Sequence, residues 1–286
     1  MSRFILSAFA DEIADDLNVQ MGVLEQHGIR YIEIRALNGK SIVNHTLQEV
    51  EDIKKKLDER GFSISAIGSP IGKINITDDF EPHIELFRHT IKIAKLLETK
   101  YIRMFSFYMP SGQNPQIYRD EVIKRWRVFI EEAEGSGLIL LHENEKGIYG
   151  DTPERCLDLF DALDSQNVKA VFDPANFVQC DVKTYPHAYE ILKKHIEYMH
   201  IKDALYEDHS VVPAGCGDGK LKDILLALKN TGFDGFLSLE PHLGAFKGLA
   251  ALERDLKIDN LPEGGAGTFA VAAKALKKIL SEIEEV

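Results

Sequence analysis

The chain has 286 residues, is 44% hydrophobic and carries a net charge of −12. That acidity excludes a nucleic-acid footprint, which is usually basic, and makes an anionic membrane surface an unfavourable partner. No run approaches the ~18 apolar residues of a membrane span, and the length suits one (β/α)8 barrel of about 250 residues as well as two domains.

In chain order, eight short and largely apolar runs read as strands: FILSAFA (4–10), YIEIRA (31–36), FSISAIG (62–68), YIRMFSF (101–107), LILLHEN (138–144), AVFDP (170–174), YMHIKD (198–203) and FLSLEP (236–241). Such runs fit strands buried on both faces. Between them apolar residues recur at helical spacing. Leu17, Met21 and Leu24 share one face, as do Ile84, Phe87, Ile91 and Ala94, and Val122, Trp126, Phe129 and Ala133. Leu221, Ile224, Leu225 and Leu228 repeat the pattern, and Ala272, Leu276, Ile279 and Ile283 end it.

The punctuation agrees with this reading. Gly28, Gly61, Gly137 and Gly232 each precede an apolar strand, where a helix ends in a positive φ. Thr46 with Glu49 reads as a capping box, and Thr152-Pro153 as an N-cap followed by proline in the first turn. Strict alternation of strand and helix means a parallel sheet. Eight units predict a single TIM barrel over residues 1–286, with a doubly wound open sheet as the alternative. The segment 241–266 reads as an elaborated loop before the last helix. Three scattered cysteines (Cys156, Cys180, Cys216) without a CxxC fit a reducing compartment. The N-terminus MSRFILSAFADE has too short an apolar stretch for a signal peptide, so a cytoplasmic protein is expected.

Four consecutive strand-like runs end in metal-ligand types: Glu143, Asp173, His200 and Glu240. A barrel gathers strand C-termini around one mouth, where active sites lie. One carboxylate there reads equally well as a cap or a salt-bridge partner, and a lone His200 as a core histidine. Four on successive strands point to one divalent ion. Three oxygens and one nitrogen suit Mn²⁺, Mg²⁺, Co²⁺ or Zn²⁺, without choosing among them. An octahedral ion would keep about two positions open. Adjacent oxygens of a hydroxyketone could fill both, favouring proton transfer through an enediolate.

Around these residues the chain resembles the xylose isomerase-like TIM-barrel superfamily of sugar-phosphate isomerases and epimerases. That group also holds D-tagatose 3-epimerases, hydroxypyruvate isomerases, inosose isomerases and dehydratases, and apurinic endonucleases. The resemblance covers essentially the whole chain. It rests on HENEKGIYGDTPE around Glu143, FDPAN around Asp173, HIKD around His200 and SLEPH around Glu240. It implies that these four residues hold the metal, and that Glu143 and Glu240 form the catalytic acid/base pair. Similar ketose 3-epimerases carry a histidine where this chain has Asn176, and an arginine where it has ALYEDH. HIKD is closer to the sugar-phosphate isomerase and inosose dehydratase branches, where the Lys202 position can meet substrate. The extra histidines of the trinuclear endonuclease branch are missing from HENEK and FDPAN.

Further substrate contacts are expected from Lys202, His242, Asn176, Glu33, Arg35, Lys73 and Arg103, and each also has a structural reading. Lys202 could pair with Asp203 or Glu240, and Glu33 with Arg35. GCGDGK (215–220) reads as an ordinary turn, with a phosphate loop as the rival. Asp11 and Glu12 read as a loop or helix start. The leading expectation is a divalent-metal isomerase or epimerase of a small sugar, sugar acid, inosose or phosphorylated sugar, with a small carbohydrate or polyol as its partner. Its rivals are a dehydratase of the inosose or dehydroshikimate type and a non-catalytic metal-binding barrel. The family also implies a dimer or tetramer.

Overall fold

A computed structural model describes residues 2–245 and 263–284. The expected strands form as β1 (Arg3–Ala8), β2 (Tyr31–Ile34), β3 (Ser63–Gly68) and β4 (Tyr101–Met104). They continue as β5 (Ile139–Glu143), β6 (Val168–Phe172), β7 (Ile196–Ile201) and β8 (Asp234–Leu239). All pairings are parallel, each strand lies beside its sequence neighbour, and β8 pairs with β1. β1 and β2 lie side by side with no ladder between them among the described residues, so the barrel is nearly closed. A parallel sheet of this kind needs a covering layer on its outer face.

That layer is α1 (Leu17–Gln26), α2 (Leu47–Glu59), α3 (Glu81–Leu96), α4 (Arg119–Glu132) and α5 (Pro153–Leu163), completed by the helices after β6 to β8. The predicted apolar stripes are its buried faces: Met21, Leu24, Phe87, Trp126 and Phe129 are fully covered. The Thr46–Glu49 capping box forms, and the Thr152 hydroxyl caps α5 with Pro153 in its first turn. Gly28 and Gly61 follow the C-caps of α1 and α2 with positive φ. Gly137 differs: α4 ends at Glu132, Gly135 turns the chain first, and Gly137 only feeds β5.

Three further differences bear on the site. The ends of the first and fourth runs leave the sheet. Phe9 hands over to a 3-10 turn at Ala10–Glu12, and Phe105 and Phe107 bond instead to the loop after β3, at Ile71 O and Gly72 O. The connection after β6 is broken into α6 (Pro174–Val178), an irregular turn and α7 (Tyr189–Leu192), because Pro174 starts a helix at once. After β7, Asp203–Ala204 pairs antiparallel with Val211–Val212, ahead of α8 (Leu221–Thr231). α9 (Ala266–Glu284) closes the ring. Of the segment expected as an elaborated loop, residues 246–262 lie outside the described residues. No described helix is long and apolar enough to cross a membrane.

Candidate metal centre

Glu143 ends β5, Asp173 is the N-cap of α6, His200 lies within β7, and Glu240 directly follows β8. One ligand atom from each falls within 4.8 Å of all the others, and all four side chains are buried. His200 Nδ1 is the hub: Glu143 Oε1 lies at 3.1 Å, Glu240 Oε2 at 3.4 Å and Asp173 Oδ2 at 3.7 Å. Asp173 divides its work. Its Oδ1 accepts the Asn176 backbone N–H at 2.9 Å as a helix cap, which turns Oδ2 toward the cluster. The Asn144 side chain pins the same corner, donating to Asp173 O and accepting from Asp173 N, both at 2.9 Å.

A divalent ion fits this set. Glu143 Oε2 and Asp173 Oδ2 are buried and accept no hydrogen bond, although each faces a cation. Three carboxylates and an imidazole nitrogen match hard to borderline divalent metals. Burial pushes the Glu143 carboxyl up, but His200 and Arg103 outweigh it and bring it down to about 2. Burial likewise opposes ionisation of Glu240, and Lys202, His242 and His200 hold it well below the usual carboxylate range. For His200, burial favours the neutral ring, but Glu143, Glu33 and Glu240 raise it well above an ordinary histidine.

The other predicted residues all reach this region, in different places. Lys202, two positions beyond His200 and one past the end of β7, bridges Asp173 Oδ2 at 3.0 Å and Glu240 Oε2 at 3.2 Å. Asn176 Nδ2 donates to Glu143 Oε1 at 3.0 Å and thereby orients it. Arg35 binds Asp11 through two nitrogens, at 2.8 and 3.2 Å, and donates to Glu240 Oε1 at 3.0 Å. Arg103 Nε stands 3.3 Å from Glu143 Oε2, and Lys73 pairs with Glu145 at 3.0 Å. His242 lies 3.4 Å from Glu12 and 3.5 Å from Glu240, and its ring rises to about 9 because those carboxylates outweigh burial.

Glu33 sits behind His200 rather than beside Arg35. A register shift between Ile32 and Glu33 falls at this point of β2, where a bulge re-aims side chains. Its oxygens lie 3.2 and 3.3 Å from His200 Nε2, on the ring edge away from the cluster.

Sequence reasoning missed Asp11 and Glu12. They are not a plain helix start: the 3-10 turn after β1 buries both against Arg35, and burial pushes the Glu12 carboxyl up. An acidic pair directly after the first strand-like run was the available signal. Phe9 was missed as well. Its ring meets His200 edge-on at 5.2 Å and lies under the Arg35 guanidinium at 4.4 Å. Gly68 makes room for it, since a Cβ there would come within 2.6 Å of the ring.

A family model described as xylose isomerase-like TIM barrel matches residues 22–258. The chain belongs to that family. Its fold is shared with solved structures at low identity. L-ribulose 3-epimerase aligns over 100% of this chain and 96% of its own at 16% identity, with a TM-score of 0.77. The IolI protein with a bound zinc atom aligns over 98% and 99% at 19% identity, TM-score 0.74. The probable 3-DHS dehydratase AsbF of Bacillus anthracis aligns over 97% and 99% at 20% identity, TM-score 0.73. No curated protein matches the chain by sequence.

Proposed function

We propose that this member of the xylose isomerase-like family is a divalent-metal-dependent isomerase or epimerase of small carbohydrates. One observation carries the reading: four buried ligand atoms converge within 4.8 Å, two of them on glutamates from non-adjacent strands. When bound, a divalent ion would polarise a carbonyl and acidify the neighbouring C–H, which opens an enediolate route.

The chain's own residues handle the proton. Both glutamates stand at the cluster on non-adjacent strands, so either is placed to accept a proton from carbon. Asn176 fixes the Glu143 carboxylate, and Arg35 fixes that of Glu240, so each base has a set orientation. The zinc-bearing IolI structure and the sugar epimerase structures share this fold and support the reading.

The test is ¹H NMR of the Mn²⁺-loaded protein in D₂O with a panel of ketoses and polyols. Deuterium should enter beside the carbonyl without loss of water. Glu143→Gln or Glu240→Gln should slow this by a factor of about 10²–10⁴, the worth of a positioned general base, and EDTA should abolish it. Full turnover by metal-free protein would sink the proposal.

A dehydratase is the second reading. Lys202 lies 3.2 Å from Glu240, so an ammonium stands ready to protonate a departing hydroxide next to a base. Loss of water in the same spectra identifies it.

A further inference from the structure

We infer that the substrate meets this site as an uncharged polyol or ketose, carrying neither phosphate nor carboxylate toward the metal cluster. The inference rests on the proposed carbohydrate activity and narrows it.

The first observation is the fate of Lys202, Arg35, Arg103 and Lys73, the basic side chains expected to meet substrate. All four are at least nine-tenths buried at the side chain, and all four already face carboxylates. Lys202 bridges Asp173 and Glu240. Arg35 directs its guanidinium to Asp11, Glu12 and Glu240. Arg103 stands between Glu143 and Glu33, at 3.3 and 3.9 Å, with its flat face on Phe105. Lys73 holds Glu145 and also lies over Phe105. Pulling one cation out of such a buried pair is unfavourable, because a charge is left behind uncompensated.

The second observation is the balance. These contacts set seven carboxylates against four basic side chains among the described residues. A divalent ion offsets two of the three excess negative charges. It would compete with Lys202 for Asp173 and Glu240, yet the region would still be negative. These contacts leave no surplus of positive charge among the described residues. A phosphate dianion entering a buried site needs that surplus to replace its hydration. Sugar hydroxyls need acceptors instead, and carboxylate oxygens supply them.

The third observation removes the other phosphate candidate. In the glycine loop after β7 the amides of Gly215, Gly217 and Gly219 donate to Asp203, at 2.9, 3.0 and 2.8 Å. The loop is wrapped around its own internal anion. A Cβ at Gly217 or Gly219 would meet Asp203 Oδ1 at 2.4 or 2.6 Å, so glycine is needed there for the approach to this carboxylate.

Matched pairs test the inference: D-fructose against D-fructose 6-phosphate, and D-tagatose against D-tagatose 6-phosphate, each with the Mn²⁺-loaded protein. Two signals are read. One is deuterium exchange beside the carbonyl; the other is paramagnetic relaxation of ¹³C and ³¹P lines by bound Mn²⁺, with protein-free filtrate as the control for free ion. The free ketoses should be relaxed at least tenfold more strongly per unit concentration, and any exchange should be confined to them. Equal or stronger relaxation of the phosphorylated partners overturns the inference, as does failure of both free ketoses to be relaxed. Relaxation of the ketoses without exchange on either counts against the isomerase reading alone and leaves the substrate class supported.

Discussion

His200 Nε2 lies 3.2 Å from Glu33 Oε2, and neither side chain is exposed to solvent. The contact forces a division of labour on the imidazole. Once the ring is neutral, an Nε2–H donated to Glu33 leaves the lone pair on Nδ1, the nitrogen that faces Glu143, Asp173 and Glu240. A carboxylate behind a metal-binding histidine fixes its tautomer and raises its basicity. Glu33→Gln should keep the ring in place and remove the charge. Mn²⁺ affinity, measured by chelator competition, should fall by about 10–100-fold with an unchanged far-UV spectrum. Unchanged affinity would show that Glu33 does not act through His200.

Metal uptake should expel a proton. The carboxylates around His200 overcome burial and hold its pKa well above the ordinary value, so the ring is protonated at neutral pH without metal. A cation can use Nδ1 only after that proton leaves. Affinity should therefore rise with pH, by about tenfold per unit below the raised pKa, for one linked proton. Calorimetric titration of Mn²⁺ in buffers of different ionisation enthalpy should report about one proton released at pH 7. A value near zero contradicts this assignment of Nδ1.

Asp203 should matter more to stability than its distance from the ligands suggests. Its two oxygens accept four backbone N–H groups, from Ala204, Gly215, Gly217 and Gly219. Asn at this position keeps one acceptor oxygen and turns an NH₂ donor toward the other two amides. Each buried group left unsatisfied costs about 1–3 kcal/mol. Asp203→Asn should lower the urea midpoint and speed amide exchange across 213–219. Native-like protection there would mean the loop is held by something else.

Much of the site was legible from spacing, and the rest depended on closure. The ends of four apolar runs placed Glu143, Asp173, His200 and Glu240 at one mouth, because strand direction fixes which end faces it. The i, i+2 relation put Lys202 beside His200. Spacing could not give partners across the barrel: Arg35 meets Asp11 and Glu240 only because β8 returns to β1 and β2 lies next to it. Glu33 was visible on β2, yet its partner depended on a register shift. Nor does a glycine-rich string say which way its amides point. In GCGDGK they point inward, to a carboxylate at the end of the preceding strand.

Acid should destabilise the barrel through a histidine remote from the metal cluster. Burial, helped by Arg125, depresses the His83 ring to about 4. Its Nε2 accepts the Gly72 N–H at 2.7 Å, so protonation there removes the acceptor. Gly72 cannot move away easily, since it packs against the Phe105 carbonyl. The unfolded chain takes up this proton at a pKa of about 6.5, earlier than the folded chain does. The contribution is therefore complete above about pH 6.5 and is lost as pH falls toward 4. Its size is about 3 kcal/mol, since a tenfold change in proton affinity between folded and unfolded chain is worth about 1.4 kcal/mol. His83→Gln offers an amide oxygen to Gly72 and does not titrate. Urea midpoints of the two proteins should converge between pH 7 and pH 4, with the wild type falling faster. Parallel curves would place the acid sensitivity elsewhere.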